Sequence, residues 1–281
     1  MNTRRAHGAE LSRGGEAGMP GTPGEAPVQR ARWLTQLRGA GSLLLDLIFP
    51  PRCAGCGHVG VLLCEKCLAR FEPIRPPVCR RCGRPNPDDG LCRSCERTPS
   101  PLDGISAAAV FAPPLRDAIH VFKYGNGRDL APALARPMAT AWQVSGLAAD
   151  LIAPVPLHAA RLAERGYNQS ALLARALGPM VGVPVAETLL LRQKATLPQV
   201  TLGAQERREN VSGAFICRDD VAGRRILLID DVCTTGATLE ACAAALKACG
   251  ASGVWALTLA RPRWEPGHSD DALTPSECAI R

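Results

Sequence analysis

The chain has 281 residues, 46% of them hydrophobic, and a formal charge of +7, enough for one full α/β domain and a small appendage. No uninterrupted apolar run approaches the roughly 18 residues that span a bilayer. Leu43 to Phe49 is broken by Asp46 and follows a long stretch rich in Arg, Gly, Pro and Glu, so it does not read as a secretory signal; a cytoplasmic protein with reduced thiols is expected.

Residues 1–30, with Met19-Pro20-Gly21-Thr22-Pro23-Gly24, lack apolar periodicity and read as a disordered tail. Over 31–50, Trp33, Leu34, Leu37, Leu44, Leu45 and Ile48 recur at spacings of three and four apart from a weak point at Gly39 to Gly41, which predicts an amphipathic helix that Pro50-Pro51 ends. Residues 51–98 hold eight of the thirteen cysteines as four Cys-x-x-Cys pairs. Each pair turns two thiolates toward one tetrahedral ion, and two pairs close its shell. Cys53, Cys56, Cys64 and Cys67 are the favoured ligands of one structural zinc, and Cys79, Cys82, Cys92 and Cys95 of a second; the sequence leaves open a pairing of Cys53/Cys56 with Cys79/Cys82. Closed sites of this kind contribute folding free energy to a segment whose many Pro, Gly and Arg cannot build a core. Eight thiolates and two dications bring the charge to about +3, a mild balance. The segment has nine basic residues, Arg80, Arg81 and Arg84 among them, against five acidic ones, so contact with nucleic-acid phosphates is open to it. Phe71 is its sole aromatic residue, which argues against a stacking platform for single strands.

After Pro99–Pro101 the pattern over 102–263 alternates apolar and helical segments, the mark of a parallel α/β sheet. Strands are predicted near Gly104–Phe111, Leu151–Val155, Pro184–Leu190, Arg225–Ile229 and Val254–Ala260. Helices are predicted at Pro114–Phe122, Leu130–Val144, Asn168–Leu177 and Leu239–Ala248, the last closed by Gly250. Residues 264–281 turn polar and read as a loose tail.

The strongest chemical signal is Arg225-Ile-Leu-Leu-Ile-Asp-Asp-Val-Cys-Thr-Thr-Gly-Ala-Thr238. Four apolar residues from Ile226 predict a fully buried parallel strand, and ligands of open α/β sheets bind at strand carboxyl ends. There Asp230 and Asp231 can accept hydrogen bonds from a sugar diol. Thr234, Thr235, Gly236, Ala237 and Thr238 follow directly before a helix, whose N–H groups and dipole favour an anion. From Ile226 to Thr238 the order of residues resembles the phosphoribosyl pyrophosphate signature of type I phosphoribosyltransferases. Leu151-Ile-Ala-Pro-Val-Pro-Leu-His158 is a second buried strand, and the matching strand of those enzymes ends in the pyrophosphate loop. The resemblance gives that role to Leu157, His158 and Ala159, with Arg161 and Arg165 beside them. Arg192 to Phe215, with Gln199, Thr201, Arg207, Arg208 and Asn210, is long for a connection. It matches the mobile loop that covers the ligand, where a basic residue such as Arg207 stabilises the leaving group.

Together with Phe122-Lys123-Tyr124-Gly125 and Arg165-Gly166-Tyr167-Asn168-Gln169, these motifs closely resemble the ComF family over Leu43 to Pro262. The resemblance implies a type I phosphoribosyltransferase-like α/β fold, a parallel sheet with helices on both faces, behind a double zinc ribbon. It also implies Mg²⁺, phosphoribosyl pyrophosphate and an unassigned acceptor, with Asp230 and Asp231 as ribose and electrostatic ligands. A role in natural competence would place the protein on the cytoplasmic side, peripheral to the inner face of the membrane, with single-stranded DNA, a competence helicase or other DNA-uptake proteins as partners. The alternative is a nonenzymatic DNA-uptake factor that uses the same pocket as a ligand sensor.

Overall fold

The computed structural model describes residues 50–88, 90–194 and 213–264. The tail at 1–30, the helix expected over 31–50 up to Phe49, Arg207 with most of its loop, and 265–281 lie outside the described residues. Four strands, β1 (Gly104–Val110), β2 (Leu151–Pro154), β5 (Arg225–Val232) and β6 (Gly253–Arg261), make one sheet in the order β1-β6-β5-β2. Every pairing in it is parallel. Ile226 to Ile229 are all fully buried, as a central strand covered on both faces requires.

The period of two along β5 divides its side chains between two layers. Leu227 and Ile229 pack with Leu257 and Leu259 under α3 (Leu115–Tyr124), α4 (Ala131–Ser145) and α6 (Gln169–Val181), through Leu115, Ile119, Phe122, Leu134, Met138, Leu173 and Leu177. Ile226 and Leu228 face the other way, against Leu239, Cys242 and Leu246 of α7 (Ala237–Ala248). Helices therefore cover both faces. Gly250 adopts φ +85 just past the last turn of α7, and its N–H donates to the Lys247 carbonyl at 3.0 Å, the conformation a helix-terminating glycine takes.

Two segments differ from expectation. The strand predicted at Pro184–Leu190 is reduced to a parallel bridge between Val185 and Ile152, followed by a turn in which Leu189 N–H donates to Ala186 carbonyl. Pro184 has no N–H to give a ladder. The pairing resumes as an antiparallel hairpin base, β3 (Leu190–Arg192) with β4 (Phe215–Cys217). A short helix, α5 (Ala159–Arg165), occupies what the sequence reads as a turn, with His158 Nδ1 capping it by accepting from Ala160 N–H at 3.3 Å.

The cysteine segment forms two similar units. Each has a Cys-x-x-Cys turn closed by a glycine of positive φ, Gly57 at +74 and Gly83 at +68. A second pair then opens a short helix, α1 (Glu65–Leu68) or α2 (Arg93–Arg97). The first unit joins the domain core directly: Cys53, Leu63, Cys67 and Phe71 are buried in the same cluster as Leu115 and Phe122. Truncating Phe71 to Ala should therefore destabilise the α/β domain and ribbon together, by about 3–5 kcal/mol. Thermal melting should show one transition at lower temperature, whereas an unchanged main transition would mean that the ribbon is not part of that core.

Candidate functional site

In the first group the sulfurs of Cys53, Cys56, Cys64 and Cys67, and in the second those of Cys79, Cys82, Cys92 and Cys95, lie within 4.8 Å of one another. The grouping is sequential. Cys56 and Cys64 Sγ stand 3.7 Å apart and Cys82 and Cys92 Sγ 3.8 Å, close to the edge of a tetrahedron with Zn–S bonds of about 2.3 Å, which is about 3.8 Å. The N–H groups of Cys64 and Cys92 point at Cys53 Sγ and Cys79 Sγ, both at 3.3 Å. Burial acts to raise these two thiols, yet such backbone donors bring each down to about 6. The residues present fit two structural zinc ions.

At the carboxyl end of β5, Asp230 is half-buried and Asp231 is 7% exposed. Two adjacent carboxylates in poor solvent repel, and each has a separate partner. Lys123, in the last turn of α3, places Nζ 3.1 Å from Asp231 Oδ1. Burial opposes the lysine's charge, but the Asp231 and Asp230 carboxylates hold its pKa above the usual value. Ser170 Oγ donates to Asp230 Oδ1 at 2.9 Å, and the Asp231 N–H donates to the same oxygen at 2.9 Å. These bonds do not fully compensate: burial, then the neighbouring Asp231, push the Asp230 carboxyl up to about 7.

The threonine turn comes next. Gly236 sits at φ +86 as the N-cap of α7, Ala237 N–H reaches Thr235 Oγ1 at 3.4 Å, and Thr234, Thr235 and Thr238 are partly exposed. The twelve-residue α7 thus directs its N-terminal amides and dipole toward this turn. Leu157, His158 and Ala159 leave β2 at the same sheet edge, since Pro154 pairs with Ile229 and Val155 N–H donates to the Ile229 carbonyl at 2.9 Å. Arg161 is exposed, 3.9 Å from Glu164. Arg165 is engaged on the Tyr124 ring, 5.0 Å from its centroid.

The motifs at 122–125 and 165–169 prove to be one clasp. Tyr167 Oη donates to the Phe122 carbonyl. Arg128 lies 4.8 Å over the Tyr167 ring and donates to the Gly166 carbonyl at 3.1 Å. Asn168 Nδ2 donates to Val155 carbonyl at 3.0 Å while its Oδ1 caps α6 through Ser170 N–H, also at 3.0 Å. This clasp sets Lys123 and Ser170 on the two carboxylates. Sequence reasoning named neither residue as part of the site. The signal for Lys123 was a lysine beside the fully buried Phe122 at the end of an amphipathic helix. Two shallow hollows elsewhere, one lined by Arg175 and Val185 and another by Cys217 and Cys249, contain none of these residues.

Comparison with known proteins agrees with this architecture. A double zinc ribbon domain matches residues 44–96 and a phosphoribosyl transferase domain residues 177–274. The fold and cysteine groups define a phosphoribosyltransferase-type α/β domain preceded by two zinc-ribbon units. The DNA utilization protein YhgH of Escherichia coli K12 is 34% identical over 211 residues, 73% of this chain and 92% of that protein. Competence protein F of Haemophilus influenzae is 30% identical over 223 residues, 75% and 96% of the two chains. The chain belongs to the ComF/YhgH family. Among solved structures, the glutamine phosphoribosylpyrophosphate amidotransferase of B. subtilis is 19% identical at a TM-score of 0.32, over 47% of this chain and 26% of that one; family membership rests on the sequence relatives. Among the described residues no helix is long and apolar enough to cross a membrane.

Elemental analysis of protein purified under reducing conditions should find two zinc ions per chain, one for each group of four cysteines. A value near zero with the ribbons still folded would exclude structural metal there. A second expectation concerns pH. Because the Asp230 pKa lies above its ordinary 3.8, its contribution to stability is fully present below that value and is lost as pH rises through about 7. Lys123→Gln removes the counter-charge and should move this loss to higher pH. Melting curves across pH 4–9 check it, and superimposable pH profiles of variant and wild type would refute the coupling.

Proposed function

We propose that the chain binds phosphoribosyl pyrophosphate with Mg²⁺ and transfers the phosphoribosyl group to an acceptor. The observation that carries this reading is the junction of β5 and α7: two carboxylates at the end of a buried strand, followed within three residues by an anion-type turn at a helix N-terminus. Asp230, with Ser170 on one oxygen, accepts a ribose hydroxyl on its solvent side. Asp231, fixed by Lys123, supplies the second acceptor and a negative field near C1. Thr234, Thr235, Gly236, Ala237 and Thr238 receive the 5-phosphate.

Leu157, His158 and Ala159, with Arg161 and Arg165, stand on the pyrophosphate side, and Arg207 neutralises the departing group. Mg²⁺ would be held on the solvent side of Asp230 and would supply electrostatic neutralisation of the leaving group. A cation that keeps most of its waters and meets few carboxylates fits a site whose Asp230 still reaches solvent. The bond from C1 to pyrophosphate oxygen breaks, its electron pair leaving with pyrophosphate, and an acceptor's lone pair replaces it. The protein positions and neutralises; no side chain needs to attack the sugar.

The names of the relatives, a DNA utilization protein and a competence protein, support a setting in DNA utilization and competence, and the reading puts the protein's work in DNA uptake on the cytoplasmic side. The basic ribbon units would meet single-stranded DNA, alongside a competence helicase or other uptake proteins. Calorimetric titration with phosphoribosyl pyrophosphate and Mg²⁺ tests the pocket. A hydrogen bond to a charged group is worth about 1.5–3 kcal/mol, so Asp230→Asn should cost about tenfold or more in affinity. Thr235→Val should weaken ribose 5-phosphate binding similarly. Unchanged affinity in both folded variants would move the ligand elsewhere. Pyrophosphate release in the presence of bases, amines or single-stranded DNA identifies transfer, whereas tight binding with no release from any of them favours the sensor.

A further inference from the structure

The second ribbon unit and the threonine turn, distant in sequence, meet across β1. Ile105 N–H donates to the Arg81 carbonyl at 2.8 Å. Arg261, at the end of β6 and only 7% exposed, donates to the Cys82 carbonyl. Gly83 lies so close to β1 that a Cβ there would stand 2.3 Å from the Ile105 carbonyl oxygen, and a Cβ at Gly104 would stand 2.8 Å from the Arg80 carbonyl oxygen. These are backbone-to-backbone approaches that no side-chain rearrangement can relieve.

The same residues continue into the turn. Ile105 Cδ1 lies 3.4 Å from the Cβ position of Gly236. Cys233 N–H is held by the carbonyl of Ala260, the residue before Arg261, at 2.9 Å. The charges of Arg261 and Arg84 both reach the Cys233 thiol, where they oppose the burial that pushes it up. A further strut comes from the linker behind the second ribbon: Ser100 Oγ donates to Glu240 in the first turn of α7 at 3.1 Å, and Leu102 shares a buried cluster with Cys233, Ala237 and Leu239. The first ribbon's cysteine knuckle makes its contacts elsewhere. A Cβ at Gly55 would meet Pro114 Cβ at 2.9 Å, Glu65 pairs with Arg136 of α4, and Cys53, Cys67 and Phe71 enter the core under α3.

We propose that the second cysteine group with its zinc is a buttress of the 234–238 turn. The knuckle from Cys79 to Gly83 positions Ile105 and Arg261, and these position Gly236 and Cys233. A zinc ion held by Cys79, Cys82, Cys92 and Cys95 would fix the Cys82 carbonyl by fixing its sulfur. When that carbonyl moves, the buried Arg261 guanidinium loses its acceptor, a cost that shifts the end of β6 and the turn hydrogen-bonded beside it. The two metal sites thus differ in role, the first belonging to the core under α3 and the second to the ligand turn. Only the statement that this turn receives a phosphate rests on the function proposed above.

Backbone amide exchange of unliganded protein reads the buttress directly. Arg261→Gln keeps all eight ribbon cysteines and should keep both zinc ions by elemental analysis, while exchange at residues 234–238 accelerates about tenfold or more. Cys82→Ser should lose one zinc and show the same acceleration. Cys56→Ser should lose the other zinc and leave exchange at the turn within about twofold of wild type, since no hydrogen bond given for the first knuckle reaches Arg261 or the turn. Where Cys82→Ser does not fold, Arg261→Gln and Ile105→Ala decide. Wild-type exchange at the turn in Arg261→Gln with two zinc ions bound overturns the proposal, as does equal acceleration by Cys56→Ser and Cys82→Ser. Titration with phosphoribosyl pyrophosphate and Mg²⁺ is the second readout, expected to weaken in Arg261→Gln. Failure of the wild type to bind would remove the proposed function and leave the exchange measurement as the test of the buttress.

Discussion

Asp230 and Asp231 stand side by side at the end of a strand whose preceding four residues are fully buried, and much of the surrounding architecture answers the repulsion between them. In water two such carboxylates interact weakly, but at a poorly solvated strand end their repulsion grows as the effective dielectric falls. The protein treats the two unequally. Asp231 receives a full counter-charge from Lys123 at 3.1 Å and is nearly enclosed; Asp230 receives a neutral hydroxyl and one N–H, keeps a solvent face, and bears the raised pKa. One acid is thereby held in an ion pair and the other is left as an available acceptor.

This division requires two helices to arrive at one strand end with side chains in register. Lys123 comes from α3 and Ser170 from α6, and neither helix alone fixes the other's position. The clasp between them, Tyr167 on the Phe122 carbonyl and Arg128 across Tyr167 and Gly166, ties their ends. Asn168 then anchors the start of α6 to β2 through the Val155 carbonyl. Buried polar groups in such a chain satisfy one another, which makes the arrangement specific and makes any single deletion costly.

The elements most legible in the sequence were those in which periodicity and chemistry agreed. The run from Ile226 to Ile229 gave a buried strand because β5 is covered on both faces, and the cysteine spacing gave two four-sulfur groups because each pair forms a local turn. The strand at Pro184–Leu190 misled for a physical reason: its apolar residues serve a bridge, a turn and a hairpin base in succession, and periodicity does not resolve a change of partner every two or three residues. Helix α5 was hidden because it buries none of its residues, so no apolar stripe marks it. Lys123 and Ser170 were hidden for a different reason. Their role depends on pairings 108 and 60 residues away, and charge or hydroxyl type alone carries no information about distant partners.

The same long-range logic explains why the ribbons are placed where they are. A parallel sheet ends in edge strands whose free N–H and C=O groups invite pairing with other chains. β1 is one edge of this sheet, and ribbon backbone covers it: Ile105 N–H donates to Arg81, Val110 N–H to Glu72, and Ile74 N–H to Ala108, while Pro73 bridges Ala109. At the other edge, β2 is met by the short bridge at Val185. The ribbon segment, too poor in apolar residues to hold itself, is thus fixed by thiolate groups on one side and by a sheet edge on the other. The sheet edge in turn is protected by a segment that the cysteines keep folded. Each half supplies what the other lacks, so the ribbon is an integral part of the domain's packing.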